Sequence, residues 1–158
     1  MKTLLGAGLW TLFLLLTLFL LGKEERRRLA QYRGLVRLIS HIKAALAASP
    51  KPLPAIYAAF RDDALARAGF LPILENEGLA AALDAAVLHL DEGDILPFRT
   101  YAESLGRRLY AEELRAAEEL FSSSSLTLKE KETALPRKEK LTGTLFFSGG
   151  MLLLLLLL

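Results

Sequence analysis

The stretch GLVRLISHIKAAL, residues 34–46, repeats apolar side chains at steps of three and four residues. That spacing is typical of an α-helix with one apolar stripe, and the basic residues of the stretch lie elsewhere on the helical wheel. The stripe consists of Leu35, Leu38, Ile39, Ile42 and Leu46. The stretch therefore predicts an amphipathic helix from about residue 24 to about residue 48, with a stripe that other helices must cover.

The chain that follows shows the same helical period, interrupted by turn residues. SPKPLP at residues 49–54 ends the first helix, because proline is tolerated only in a loop or in a first helical turn. We expect a second helix from near Leu53. AGFLPILENEG, residues 68–78, is rich in turn residues, and its apolar part is too short for its secondary structure to be assigned. A further helix is predicted from about Gly78 to His89, where apolar residues recur at helical spacing.

The last third of this region predicts two more helices. Asp94 is a candidate N-cap for a short helix, and Gly106 suits the left-handed conformation that often follows a helix end. A last helix is expected from near Tyr110, with an apolar stripe through Leu114, Ala117 and Phe121.

That last helix meets two disfavoured features further along. The run Ser122–Ser125 costs a helix roughly 2 kcal/mol relative to alanine, and Pro136 breaks or kinks a helix. Either the helix ends at Phe121 and a flexible tether follows, or it continues with weak points. We expect a partly helical tether over residues 122–140.

The fold class follows from these periods. No part of the sequence alternates apolar and polar residues over more than a few positions, so strands are not expected. We predict an all-α fold in which residues 23–121 form a bundle of about five or six helices.

Both ends of the chain carry long uncharged segments. Residues 3–22 contain no charged side chain, and neither do residues 141–158, which end in seven leucines. As helices these segments measure about 30 Å and about 27 Å, close to the thickness of a bilayer core. We expect transmembrane helices at residues 1–22 and 141–158. A cleaved signal peptide is the alternative for the first, but no small-x-small cleavage site follows it.

Basic residues flank both segments on the side of the intervening domain. Lysine and arginine next to a span favour the cytoplasmic side, so we expect two spans in the cell membrane and a cytoplasmic domain. A nucleic-acid surface is not expected, because no aromatic residues are interleaved with these charges. The flanking residues are Lys23, Arg26, Arg27, Arg28, Arg137, Lys138 and Lys140.

The sequence offers few residues for chemistry. Cysteine is absent, which excludes disulfides, thiol catalysis and thiolate zinc sites. His41 and His89 are isolated and are interpreted as ordinary helix residues. The pairs Glu112–Glu113 and Glu118–Glu119 are interpreted as a solvated helix face, and no glycine-rich phosphate loop is present. We expect no catalytic residues, no cofactor and no metal, and therefore no enzyme.

The order of motifs resembles the stage III sporulation protein AB family over nearly the whole chain. The resemblance is carried by three stretches, RRRLAQYRGLVRLISHIKAALAASPKPLPAIYAAF at 26–60, LPFRTYAESLGRR at 96–108 and GGMLLLLLLL at 149–158. The sequence departs from the family where Leu109 and Glu113 stand in place of an Asp and a Gln, where Val87 or a neighbour replaces a Trp, and at the serine run.

The resemblance implies a function as well as a fold. The soluble region of that family is similar to the cytoplasmic domain of the type II secretion F and pilus platform proteins. It implies a non-enzymatic platform in the mother-cell membrane around the forespore, working beside a secretion-type ATPase and channel-forming subunits. Self-association is compatible with this role. An assembly or regulatory factor of an unrelated envelope complex and a membrane-anchored enzyme stay open as alternatives.

A partner-binding site is predicted at the turn Leu105, Gly106, Arg107 and Arg108. Two cations just before a helix face the positive end of the helix dipole, which is unfavourable. Such broken local rules are commonest at functional sites, although a plain surface pair is the alternative.

Overall fold

The computed structural model describes residues 2–49 and 51–157, and it describes every side chain from residue 22 to residue 136 except that of residue 50. In this part of the chain every regular element is a helix, which confirms the all-α prediction. The bounds are α1 Lys2–Ala48, α2 Leu53–Ala59, α3 Asp63–Arg67, α4 Phe70–Glu77, α5 Leu79–Ala85, α6 Glu92–Ser104 and α7 Tyr110–Leu157.

Two compact units divide these helices. One consists of residues 27–129, and the other combines residues 1–26 with residues 130–158. The first unit, called the helical domain below, contains α2 to α6 entire and the parts of α1 and α7 between Arg27 and Lys129.

The apolar stripe of α1 is the centre of the helical domain. Its members Leu35, Leu38, Ile39, Ile42 and Leu46 are all buried, as predicted. Full burial of one such side chain contributes about 1.5–3 kcal/mol, so this stripe alone supplies a large part of the driving force for packing. The helix begins earlier than residue 24, because a single glycine at Gly22 costs only about 1 kcal/mol and does not end a helix.

The start of α3 packs closely against α1. Asp62 caps α3, since its carboxylate accepts hydrogen bonds from the backbone N–H groups of Ala64 at 3.0 Å and Leu65 at 3.1 Å. A Cβ atom on Gly34 would lie 2.8 Å from Leu65 Cγ and 2.9 Å from Asp62 Oδ1. The absence of a side chain at Gly34 therefore permits this approach.

The middle of the domain differs from the sequence prediction. The unassigned passage forms α4, which Gly69 precedes and Gly78 follows with positive φ angles of 72° and 92°. The helix predicted up to His89 ends at Ala85 instead, so the interpretation of His89 as a helix residue is wrong. The reason is a tertiary contact: Gln31, buried on α1, accepts a hydrogen bond from the backbone N–H of His89 at 2.8 Å.

The helix after this irregular segment is capped at a different residue. α6 begins after Asp91, and Asp94 lies within its first turn instead of forming the N-cap. Gly106 has a φ angle of 81°, as predicted for the residue that follows the helix end. Leu53 begins α2 and Tyr110 begins α7, which confirms both predicted starts.

The last helix does not end at Phe121. α7 is continuous through the serine run and through Pro136, so the alternative in which the helix ends at Phe121 is wrong. Residues 122–140, expected as a partly helical tether, are helical throughout. Serine hydroxyls donate hydrogen bonds to carbonyls one turn back, from Ser123 to Leu120 at 3.1 Å and from Ser125 to Ser122 at 2.8 Å. Ser124 is buried. The modest cost of serine in a helix is thus offset by packing, and residues 122–129 belong to the helical domain.

Among the described residues, none of the helices combines the length and the apolar character that crossing a bilayer requires. The predicted spans at 1–22 and 141–158 fall mostly on side chains outside the described ones, and they stay predictions. The same holds for the side chains of Arg137, Lys138 and Lys140. Lys23, Arg26, Arg27 and Arg28 lie within α1.

Candidate interaction site at the start of α7

The predicted partner-binding residues form the exposed turn between α6 and α7. Leu105 is half-buried against the core and caps α6, and Gly106 faces Leu53, whose Cδ1 would lie 3.4 Å from a Cβ placed on the glycine. Arg107 and Arg108 are exposed. The backbone N–H of Arg107 donates to the carbonyl of Ser104 at 3.2 Å, which fixes the turn.

Two apolar residues extend this exposed surface. Leu109 is 74% exposed and Tyr110 is 45% exposed. Sequence reasoning noted Leu109 only as a departure from the family pattern and predicted that Tyr110 begins a buried stripe. Both residues instead extend the exposed surface that the two arginines begin. Residues 105–110, named after the four exposed residues Arg107, Arg108, Leu109 and Tyr110, are called the RRLY turn below.

Acidic residues inside the helix offset the cations in front of it. Glu112 and Glu113 occupy the first turn of α7, where negative charge interacts favourably with the helix dipole. Arg107 and Arg108 precede Tyr110 and lie outside the helix. The unfavourable interaction between the two arginines and the helix dipole is therefore weaker than the sequence suggested. The prediction that this turn binds a partner rests on its exposure instead.

The buried face of α7 is shifted from the predicted stripe. Its buried members are Glu113, Ala117, Leu120 and Ser124, spaced four, three and four residues apart. Two of these are polar, so a hydrophobic pattern cannot reveal them. The interpretation of Glu112–Glu113 as a solvated pair holds for Glu112, which is exposed, and is wrong for Glu113, which is only 5% exposed.

Glu113 lies in the interior, and its charge acts on two buried tyrosines from other helices. Tyr57 comes from α2 and Tyr101 from α6, and both are buried. Among the described residues, neither carboxylate oxygen of Glu113 has a hydrogen-bond partner, and neither does the hydroxyl of Tyr101. Leaving one such buried group unpaired costs about 1–3 kcal/mol, and more for a charged group. We call these three residues the Glu113 cluster.

The electrostatics of the cluster connect it to the RRLY turn. Burial, and then the negative charge of Glu113, raise the pKa of Tyr57 to about 12. Burial raises the pKa of Tyr101 further, with contributions from Glu113 and Tyr57, while the positive charge of Arg108 lowers it. Arg108 of the turn thus acts electrostatically on Tyr101.

A second group of charges lines a shallow groove on α5 and α6. The groove has a volume of about 230 Å³ and is lined by Ala80, Asp84, Arg99 and Glu103. Arg99 pairs with Asp84 at 2.9 Å and with Glu92 at 2.6 Å. The acidic partners are largely exposed, so these ion pairs add little stability.

Other residues singled out by the sequence have structural contacts. The Nε2 atom of His41 donates to the carbonyl of Ile56 at 3.0 Å, which ties α1 to α2. Arg28, predicted to flank a span, pairs with Asp91 at 3.2 Å in the helical domain.

Comparison with protein-family models, curated proteins and solved structures finds no match to this chain.

Proposed function

We propose that the protein is a non-enzymatic scaffold subunit of a sporulation secretion-like channel between mother cell and forespore. It is anchored by membrane spans at both ends, and its cytoplasmic helical domain binds a secretion-type ATPase and channel-forming subunits. The resemblance of the motif order supports the family, and the basic residues beside the uncharged ends support the topology.

The observation that carries the proposal is the composition of the RRLY turn. Arg107, Arg108, Leu109 and Tyr110 are consecutive and exposed. Arginine and tyrosine are enriched among residues that dominate binding energy at protein interfaces. Burial of an exposed leucine contributes about 1.5–3 kcal/mol, so contact at Leu109 would supply a considerable part of a micromolar affinity.

The charges of the turn define the partner surface. Two arginines side by side favour an acidic patch, and arginine pairs with carboxylates through two parallel hydrogen bonds. We therefore place the contact where a partner presents carboxylates beside an apolar pocket. Charge complementarity of this kind raises the association rate and selects among partners.

The test is a double charge reversal, Arg107→Glu with Arg108→Glu, in the full-length protein. Both residues precede the helix, so the substitutions leave the core intact and place favourable charge near the N-terminus of α7. We expect normal abundance and normal helix content, together with at least a tenfold loss in recovery of the ATPase or channel subunits and a sporulation defect.

The matched control reverses two other exposed arginines, Arg67→Glu with Arg115→Glu, which changes the net charge by the same amount. We expect the control to retain partner recovery and sporulation. Equal recovery of partners by the turn variant and by wild type would show that another surface makes the contact.

A further inference from the structure

The outer face of α6 carries a row of exposed side chains. Glu92, Leu96, Thr100 and Glu103 follow one another at steps of three and four residues, which places them on one side of the helix. Leu96 is 55% exposed, and the other three are exposed as well. At about 1.5 Å per residue this row is about 17 Å long. It is called the α6 face below.

The surface at the start of the α6 face is acidic. Arg99 joins two helices there, because its Nε lies 2.9 Å from Oδ1 of Asp84 on α5 and its Nη1 lies 2.6 Å from Oε1 of Glu92. Arg28 pairs with Asp91 at 3.2 Å. The side chains of Asp84, Asp91 and Glu92 are 68%, 72% and 73% exposed. Two arginines thus pair with three largely exposed carboxylates, which leaves this surface with an excess of negative charge.

The other end of α6 is basic. The helix ends at Ser104, and the backbone N–H of Arg107 donates to the carbonyl of Ser104 at 3.2 Å, so the RRLY turn follows the helix directly. Arg107 and Arg108 are exposed, and neither forms an ion pair in the part of the chain that the structure describes. One helix therefore has opposite charges at its two ends.

Opposite charges at the two ends make this surface complementary to itself. When two copies of such a surface lie antiparallel, the basic end of each one meets the acidic end of the other, and a two-fold axis produces both contacts at once. We propose that the α6 face and the RRLY turn form a two-fold interface between two copies of this chain. Arg107 and Arg108 of each copy then pair with Asp91 and Glu92 of the other.

The position of the axis follows from the charges. Thr100 lies close to the midpoint between the acidic and the basic pair, so the axis passes near it. Leu96 is one helical turn away and packs beside the axis, where the second copy covers it. Because exposed ion pairs are individually weak, the interface depends on both symmetric sets of charges together.

A groove beside the α6 face has the size and charge that suit an arginine of the second copy. Its volume is about 230 Å³, and its lining residues are Ala80, Asp84, Arg99 and Glu103. A cavity of about 150 Å³ holds a benzene molecule, so the groove has room for the planar end of an arginine side chain. Carboxylates bind guanidinium groups through paired hydrogen bonds. The groove therefore favours the type of side chain that the RRLY turn presents.

The inference deepens the proposed function and rests on it in one respect, since both take the RRLY turn as a binding surface. It names a second copy of the chain as one of the acidic partners of that turn.

The first test is crosslinking of the full-length protein in the cells that express it. The chain contains no cysteine, so a single introduced cysteine is its only thiol. Residues near a two-fold axis lie next to their own counterparts. We expect a short bismaleimide to convert Thr100→Cys to a covalent dimer, with a yield roughly fivefold above that of Ala58→Cys, an exposed control position on α2.

Charge reversal in the Thr100→Cys background identifies the contacts. Asp91→Lys with Glu92→Lys makes both ends of the surface basic, and Arg107→Glu with Arg108→Glu makes both ends acidic. We expect each variant alone to lose dimer roughly fivefold. When the two variants are coexpressed with different tags, unlike charges meet at both contacts, so a mixed dimer is expected at about the wild-type yield.

The inference is overturned if Thr100→Cys gives no more dimer than Ala58→Cys, if it is linked to a different protein instead, or if the mixed dimer is as rare as the dimer of each variant alone. The comparison of Thr100→Cys with Ala58→Cys decides the question even where a charge variant folds poorly. These readouts include no ATPase or channel subunit. Retained recovery of those partners without a dimer contradicts this inference alone, and a dimer without those partners contradicts the proposed scaffold function alone.

Discussion

The close approach of α3 to α1 makes Gly34→Ala the sharpest test of the packing. A Cβ atom at this position would lie 2.8 Å from Leu65 Cγ and 2.9 Å from Asp62 Oδ1, both too short for an ordinary contact. Overpacking of this kind typically costs about 1–3 kcal/mol. Alanine also gains about 1 kcal/mol over glycine in a helix interior, so the two effects oppose each other.

The surroundings of Gly34 decide which effect is larger. Asp62 is held by the backbone N–H groups of Ala64 and Leu65 and by Arg37, whose Nη1 lies 3.3 Å from Oδ2. Moving this carboxylate away weakens the cap of α3, which is worth about 1 kcal/mol. The cap and propensity contributions nearly cancel, so we expect Gly34→Ala to lower the free energy of unfolding by about 1–3 kcal/mol.

The measurement is urea unfolding of the full-length protein in detergent, followed by near-ultraviolet circular dichroism of the tyrosines. Gly93→Ala is the matched control, because Gly93 lies in α6 with nothing within 4 Å of an added Cβ. The control is expected to be neutral or more stable by up to about 1 kcal/mol. If Gly34→Ala is stabilised as much as Gly93→Ala, the inferred contact between α1 and α3 is wrong.

Three further predictions concern the domain and its ends. A fragment of residues 27–129 is expected to be soluble and helical and to unfold at a urea concentration about 1 M higher than residues 24–121, since buried side chains continue past residue 121; equal midpoints in circular dichroism would contradict this. The pKa of Tyr57 is raised to about 12 in the folded state, so its contribution to stability is complete below pH 10 and is lost as the pH rises towards 12; Tyr57→Phe should flatten this decline in unfolding experiments across that range. An impermeant thiol reagent applied to intact cells should label Lys2→Cys and leave Ser123→Cys protected, and the reverse pattern would refute the proposed topology.

The sequence predicted the parts of the fold that local patterns determine. Every residue that the helical spacing assigned to the stripe of α1 is buried. The starts of α2 and α7 follow the proline and glycine residues that end the preceding helices. The early end of α5 could not be predicted, because Gln31 holds His89 across 58 positions of sequence. Local propensity carries no information about such a contact.

The candidate site shows the same division. Gly106 and the exposed arginines were predicted from turn and charge patterns. The burial of Glu113 was not predicted, because Glu112 and Glu113 are the same residue type and only Glu112 faces solvent. A carboxylate on a buried helix face violates the hydrophobic pattern, so only the spacing of Ala117 and Leu120 after it could have indicated its orientation.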